Sequence, residues 1–313
     1  MRDGQASYTS RFVLFLRALM TNSPETHIFD DPVAERLLSP LGRRLAHRRW
    51  VYRLMARGLR RQPQQLGFMA TILLRARFGE DELARAMDTQ GVRQYVILGA
   101  GWDTFAWRRP DLMDRLTVFE LDHPATQQAK RDRLAREGFP APDSLVFVPI
   151  DFTTQSLGAR LQECGFDPAL PTFVNWMGVT YYLPKAVVEA VFRELHSLCT
   201  GGVSVAFDYA DAGLRAHVDS RSASFQSRWR RRIMERAVAR VGEPFRSLLD
   251  AKTLPAWLAA LGYELQQNLS CRQLRDYLPP EEMGPFVPRG LVYLALAHSQ
   301  AHAANFQDLA GSR

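Results

Sequence analysis

The chain has 313 residues, 46% of them hydrophobic, and a formal net charge of +7. That is enough apolar material for one large core or two smaller ones, while no stretch approaches the ~18 uninterrupted apolar residues of a membrane span. Cys164, Cys199 and Cys271 stand far apart with no Cys-x-x-Cys pair, which argues against a disulfide framework or a structural zinc site and suits a reducing cytoplasm.

The positive charge is concentrated at Arg43-Arg44, Arg48-Arg49, Arg60-Arg61 and Arg228-Trp229-Arg230-Arg231-Arg232. Each cluster lies in a helical pattern with acids nearby, so it reads as solvated helix faces before a nucleic-acid surface. A basic rim that attracts an anionic small substrate is the middle reading.

In chain order, an apolar stretch at Phe12–Met20 is interrupted by Arg17 and lacks a small-residue cleavage site. It reads as an amphipathic helix and not as a secretion signal. Asp30-Asp31-Pro32 marks a helix cap followed by proline in the first turn, with Ala34, Leu37 and Leu38 on the apolar face. Residues 1–90 are expected to form a helical N-terminal cap. From there β-rich runs appear at Tyr95–Leu98, Thr117–Leu121, Leu145–Pro149, Thr172–Trp176 and Val203–Asp208. Helical patterns at Pro124–Glu137, Gln155–Cys164 and Pro184–Cys199 separate them. Such alternation predicts a doubly wound, mostly parallel α/β sheet over residues 91–298. An Arg-, Ser- and aromatic-rich insertion at 210–250 reads as one or two helices. Another helix follows at Leu254–Leu261, and runs at Tyr263–Leu269 and Leu291–Ala297 are expected to pair antiparallel at the sheet edge. The tail, residues 299–313, reads as flexible.

The densest chemical signal is Val96-Ile97-Leu98-Gly99-Ala100-Gly101-Trp102-Asp103-Thr104, followed by Val118-Phe119-Glu120-Leu121-Asp122. An apolar run ending in a glycine turn, then a second ending in acids 19 and 21 residues beyond Gly101, describes a strand–loop–helix–strand cradle for an adenosine-containing ligand. Glu120 or Asp122 sits where a carboxylate accepts from ribose hydroxyls. A dinucleotide loop would carry a third glycine where Thr104 stands, and Asp103 would oppose a pyrophosphate at the helix start. S-adenosylmethionine carries no phosphate and presents a sulfonium and an ammonium, so an acid suits it. The loop therefore favours a methyltransferase over a nicotinamide-dependent oxidoreductase; a protein that binds S-adenosylmethionine without robust catalysis is the other alternative.

The sequence resembles the leucine carboxyl methyltransferase family of class I enzymes, with many bacterial members tied to secondary metabolism. The likeness is carried by Asp31-Pro32-Val33-Ala34, Ile72 to Phe78, Leu98 to Thr104 and Phe119-Glu120-Leu121-Asp122-His123-Pro124 with Lys130. Val148 to Phe152, Gly165 to Pro168 and Trp176 to Leu183 complete it, across roughly residues 30–210. The resemblance implies a Rossmann-like, seven-stranded fold with a helical N-terminal lid. It implies that Arg75 forks the cofactor carboxylate, and that Gly99, Ala100, Gly101, Asp103 and Thr104 line the methionine portion. Asp122, with Glu120 beside it, would hold the ribose. Asp151 would accept from the adenine amino group, with Phe152 against the ring; Asp151 also reads as a cap for the next helix. Some members carry a glutamate where Met177 stands, so Trp176 and Met177 are expected to give apolar contact and a backbone carbonyl.

A small-molecule acceptor is expected, anionic or aromatic, with the homo-oligomeric state left open. A carboxylate acceptor needs no base, whereas a hydroxyl does. Candidate bases are His123, which also reads as part of an Asp-His-Pro turn, and Asp208 with Tyr209 at the end of the fifth strand, with His217 in the insertion that follows. Tyr181 and Tyr209 are expected near the cofactor face, as is Tyr182, which reads equally as core. Arg108, Arg109 or Arg221 would pair with an anionic acceptor. No Asp/His/Glu cluster has metal-ligand spacing, and no metal is expected.

Overall fold

The computed structural model describes residues 8–23, 26–60, 63–213 and 246–301. The expected insertion lies largely outside them, at 214–245, as do residues 302–313 of the expected tail; Ser299 belongs to the last strand. Among the described residues five helices precede the sheet: α1 (Tyr8–Thr21), α2 (Pro32–Leu37), α3 (Pro40–Ala46), α4 (Arg49–Arg60) and α5 (Pro63–Thr89). Asp31 caps α2 as the sequence predicts, its Oδ1 accepting from Ala34 N–H at 2.9 Å.

The strands are β1 (Gln94–Leu98), β2 (Thr117–Asp122), β3 (Leu145–Pro149), β4 (Thr172–Trp176), β5 (Val203–Ala210), β6 (Glu264–Leu269) and β7 (Val292–Ser299). They form one seven-stranded sheet in the order β3-β2-β1-β4-β5-β7-β6. The pairs from β3 to β5 are parallel, and β7 runs antiparallel to both β5 and β6. The last two strands pair antiparallel as expected, but β7 lies inside the sheet and only β6 forms its edge. Composition agrees: β7 is rich in buried leucine and alanine, while β6 is mostly polar and has no fully buried residue.

Strand periodicity divides the core. Tyr95 and Ile97 of β1, Phe173 of β4 and Ala206 of β5 face the core under α5. Val96, Leu98, Val174, Trp176, Val205, Phe207 and Tyr209 face the opposite core. That second core lies under α9 (Leu157–Glu163), α10 (Lys185–Leu198) and α11 (Leu254–Ala259). Two short helices, α6 (Phe105–Arg108) and α7 (Pro110–Met113), link β1 to β2, and α8 (Pro124–Arg136) links β2 to β3. A last short helix, α12 (Pro280–Met283), precedes β7. Among the described residues no helix is long and apolar enough to cross a membrane.

Two buried carboxylates fasten the helices to the sheet and its loops. Asp31, fully buried, accepts from the Thr104 hydroxyl at 2.7 Å through its second oxygen, tying α2 to the loop after β1. Below that loop, Lys130 of α8 meets Glu120 of β2 at 2.5 Å, with both side chains 1% exposed. Burial outweighs the ammonium and pushes the Glu120 carboxyl up to about 7. A carboxyl raised in the folded state favours folding at low pH and loses that contribution as pH rises through its folded value. Lys130→Met removes the counter-charge and should raise Glu120 further. The variant is expected to lie about 3 kcal/mol below the parent at pH 8, with a deficit that shrinks towards pH 5. Glu120→Gln/Lys130→Met should show no such pH dependence. Urea unfolding across this pH range checks it; parallel pH profiles for all three proteins would refute it.

Candidate functional site

The strand order reverses at β1, whose neighbours β2 and β4 are followed by loops that lead to opposite faces of the sheet. In a doubly wound sheet this opens a crevice at the carboxyl ends of the strands. Here it holds a cavity of about 500 Å³, lined by the loops after β1, β2, β3 and β4 and roofed by α1 and α5.

The floor is the glycine loop. Gly99 and Gly101 have φ of +69° and +55°, conformations that side chains resist. A Cβ on Gly99 would lie 2.5 Å from Val179 Cγ2, and one on Gly101 would lie 3.1 Å from the Ser10 Cβ of α1. Asp122 fixes this loop from the end of β2: its carboxylate accepts from Gly101 N–H at 2.5 Å and from His123 N–H at 2.6 Å. Burial raises the Asp122 carboxyl above its usual range against those two donors. His123 caps α8, with Nδ1 accepting from Ala125 N–H at 3.3 Å. From the β3 loop come Asp151 and Phe152. Asp151 accepts from the Thr153 hydroxyl at 2.7 Å and its N–H at 2.9 Å, both on Oδ1, and these bonds hold its carboxyl low.

The opposite wall is cationic at its base. Arg75, on α5, donates to Tyr181 Oη at 2.9 Å and to Asp208 Oδ2 at 3.3 Å. Its guanidinium rests on Gly178, where a Cβ would come within 2.6 Å of Nη2. Ser10, Val13, Leu14 and Arg17 of α1 recur at helical spacing and face the cavity together. Arg17 lies 3.6 Å from both Asp31 and Asp103. Burial raises Asp103, but Arg17, Lys130 and Arg108 outweigh it and hold the carboxyl below its usual value.

Of the residues singled out in the sequence, the structure brings the loop residues Gly99, Ala100, Gly101 and Asp103 together at this cavity. Arg75, Asp122, His123, Asp151, Phe152 and Met177 surround them. Others belong elsewhere. Trp176 and Tyr209 have the wrong strand parity and point into the opposite core, where Tyr209 Oη donates to Asn268 at 2.8 Å. Glu120 shares the parity of Asp122 but sits two residues below the strand end, against Lys130. The Thr104 hydroxyl is spent on Asp31. Tyr181 stands behind Arg75, only 2% exposed, while Tyr182 reaches the cavity. Asp208 is occupied by Arg75 and Gly178 N–H. Arg108 and Arg109 do not line the cavity: Arg108 is held by Glu80 and Arg109 by Asp111. His217 and Arg221 lie outside the described residues.

Residues the sequence did not single out for the site are Ser10, Glu80, Asn175, Val179 and Arg246, together with Arg17. Arg17 did leave a trace, as the lone charge in the Phe12–Met20 run. The others join only through packing.

The lining suits an adenosyl amino acid. Its glycine cradle has no room for side chains, Asp122 and Asp151 offer acceptors along one side, and Arg75 and Asp103 offer opposite charges where an amino acid's two ends would lie. Asp103 beside the helix start disfavours a pyrophosphate. These are the residues that would hold S-adenosylmethionine.

A family model described as leucine carboxyl methyltransferase matches residues 11–196. A Bacillus subtilis protein provisionally named S-adenosyl-L-methionine-dependent methyltransferase YktD is 32% identical over 88% of this chain and 92% of its own length. A Mycobacterium avium protein provisionally named as the same kind of enzyme is 28% identical over 92% of this chain and 93% of its own. The crystal structure of a DUF574 family protein from Streptomyces avermitilis shares the fold. It has a TM-score of 0.55 at 14% identity and covers 95% of this chain and 99% of that one.

Gly99→Ala should place a methyl group against Val179 at a left-handed backbone position. The expected outcome is a fold destabilised by about 1–3 kcal/mol and at least tenfold weaker binding of S-adenosylmethionine by calorimetry. Affinity equal to the parent would remove the loop from the binding surface.

Proposed function

Because the chain belongs to the leucine carboxyl methyltransferase family and is an S-adenosylmethionine-dependent methyltransferase, we propose that it methylates an oxygen of a small molecule, and that the acceptor is a carboxylate. In this reading Asp122 accepts from the ribose, Asp151 and Phe152 hold the adenine, and Arg75 meets the carboxylate of the methionine portion. Gly99 to Asp103 line that portion, and Met177 gives apolar contact. The sulfonium of S-adenosylmethionine supplies a methyl group in electrophilic form. The chain's task is to align an oxygen with it and keep water out.

The observation that carries the choice of acceptor is the state of the candidate bases. Among the described residues, each one is already engaged. His123 Nδ1 accepts from Ala125 N–H, so the neutral ring carries its proton on Nε2 and presents a donor. The Asp208 carboxylate is buried under Arg75, Gly178 and Tyr181. Burial raises the Tyr181 hydroxyl well above its ordinary value, against the pull of Arg75. A carboxylate is already a nucleophile at neutral pH and needs none of them.

Charge at the mouth favours the same acceptor. Arg17 and Arg75 have acidic partners, whereas no ion pair reaches Arg246 among the described residues. Its backbone N–H donates to Tyr181 O at 2.7 Å, which ties this stretch of chain to the cavity wall. An exposed arginine there suits an anionic substrate and aids its approach. Free Cys164, Cys199 and Cys271 suit a cytoplasmic setting.

Methyl transfer from tritiated S-adenosylmethionine to a panel of aromatic and aliphatic monocarboxylic acids, run beside the matching alcohols, tests the reading. The expected product is an ester, whose label mild alkali releases as methanol. Alkali-stable label on the alcohols would overturn it. His123→Ala is expected to keep kcat within about threefold, whereas loss of a general base would cost about 100-fold or more.

A further inference from the structure

We infer that Asp208 is a positioning residue, whose single carboxylate sets the Arg75 guanidinium against the cavity and anchors the turn beneath it. The inference rests on the reading of Arg75 as the group that meets the cofactor's carboxylate.

Three elements converge on this side chain. Asp208 lies near the carboxyl end of β5, on the face under α5, and is fully buried. Its two oxygens divide the work. Oδ1 accepts from Gly178 N–H, in the turn after β4, at 2.6 Å. Oδ2 accepts from Arg75 Nη1 at 3.3 Å and, at 3.4 Å, from the Tyr181 hydroxyl, which itself accepts from Arg75. The backbone carbonyl of Asp208 accepts from the Thr180 hydroxyl, which holds the same turn a second time. Gly178, at φ +78°, leaves the space in which the guanidinium lies.

The arrangement answers two demands at once. A guanidinium brought into a 13%-exposed site needs a counter-charge, or its desolvation is uncompensated. It must also keep donors directed at the cavity. Fixing it through Nη1 alone leaves the rest of the fork to a ligand, and the cation is held in place before any ligand arrives.

The division of oxygens supplies the test. An asparagine has one acceptor oxygen: kept on Gly178 N–H, it places its amide nitrogen against Nη1, donor facing donor. Asp208→Asn therefore retains the turn and displaces Arg75. The probes are S-adenosylmethionine and its decarboxylated analogue, which keeps the adenosine, sulfonium and ammonium. Calorimetry on Asp208→Asn is expected to show at least tenfold weaker binding of S-adenosylmethionine, with the analogue within twofold of its parent affinity. Arg75→Met should show the same selective loss. Equal losses for both ligands in Arg75→Met would overturn the reading of Arg75. A selective loss in Arg75→Met with none, or an unselective one, in Asp208→Asn would overturn the role of Asp208. Should Asp208→Asn fail to fold, Tyr181→Phe removes the other anchor of Nη1 and is expected to give a smaller loss with the same selectivity. An unselective effect there would overturn the inference as well.

Discussion

The reversal of strand order at β1 is the constraint on which the rest of the molecule depends. With β2 on one side and β4 on the other, the loops that leave these strands diverge and cannot pack on each other. The gap between them becomes the cavity, and it stays open because Gly99 and Gly101 keep the floor free of side chains. The helical N-terminal segment then covers what the sheet leaves open, with one face of α1 lying along the cavity. Position in the sheet comes first, and the identity of the lining residues follows from it.

Carboxylates, buried at Asp31 and Asp208 and half-buried at Asp122, hold this arrangement, and each joins a backbone N–H to a second element. Asp31 caps α2 and takes the Thr104 hydroxyl. Asp122 binds the Gly101 and His123 N–H groups at the end of β2. Asp208 binds Gly178 N–H and Arg75. A carboxylate has two oxygens about four lone-pair sites rich, so one side chain can order two segments that have no regular structure in common. This economy explains why so many acids sit near a cavity whose proposed ligand is partly cationic. Most are structural first, and Asp103, Asp122 and Asp151 also line the cavity.

The same pattern narrows the chemistry. The lone pair of His123 Nδ1 and the carboxylate of Asp208 are already committed to hydrogen bonds that hold the fold. A site built this way is suited to a reaction in which both partners arrive in reactive form. Its contribution is then alignment, exclusion of water and charge complementarity at the mouth.

Much of this was legible in the sequence. The glycine run with acids at a fixed distance, and the alternation of β-rich and helical runs, determined the cofactor class and the doubly wound sheet, since these patterns are local and each residue acts through its own backbone. Local patterns also placed Asp31 as a cap and Asp122 beside the glycine loop. Only the tertiary structure decided which side chains reach the cavity. Trp176 and Met177 are neighbours in sequence, yet one enters the core and the other the cavity. Glu120 and Asp122 share a face but differ in depth, so one is locked to Lys130 and the other lines the site. Arg17 and Glu80 come to the cavity from helices that precede the whole sheet. Strand parity, depth below the sheet edge and the docking of distant helices are properties of packing, and no short window of sequence contains them.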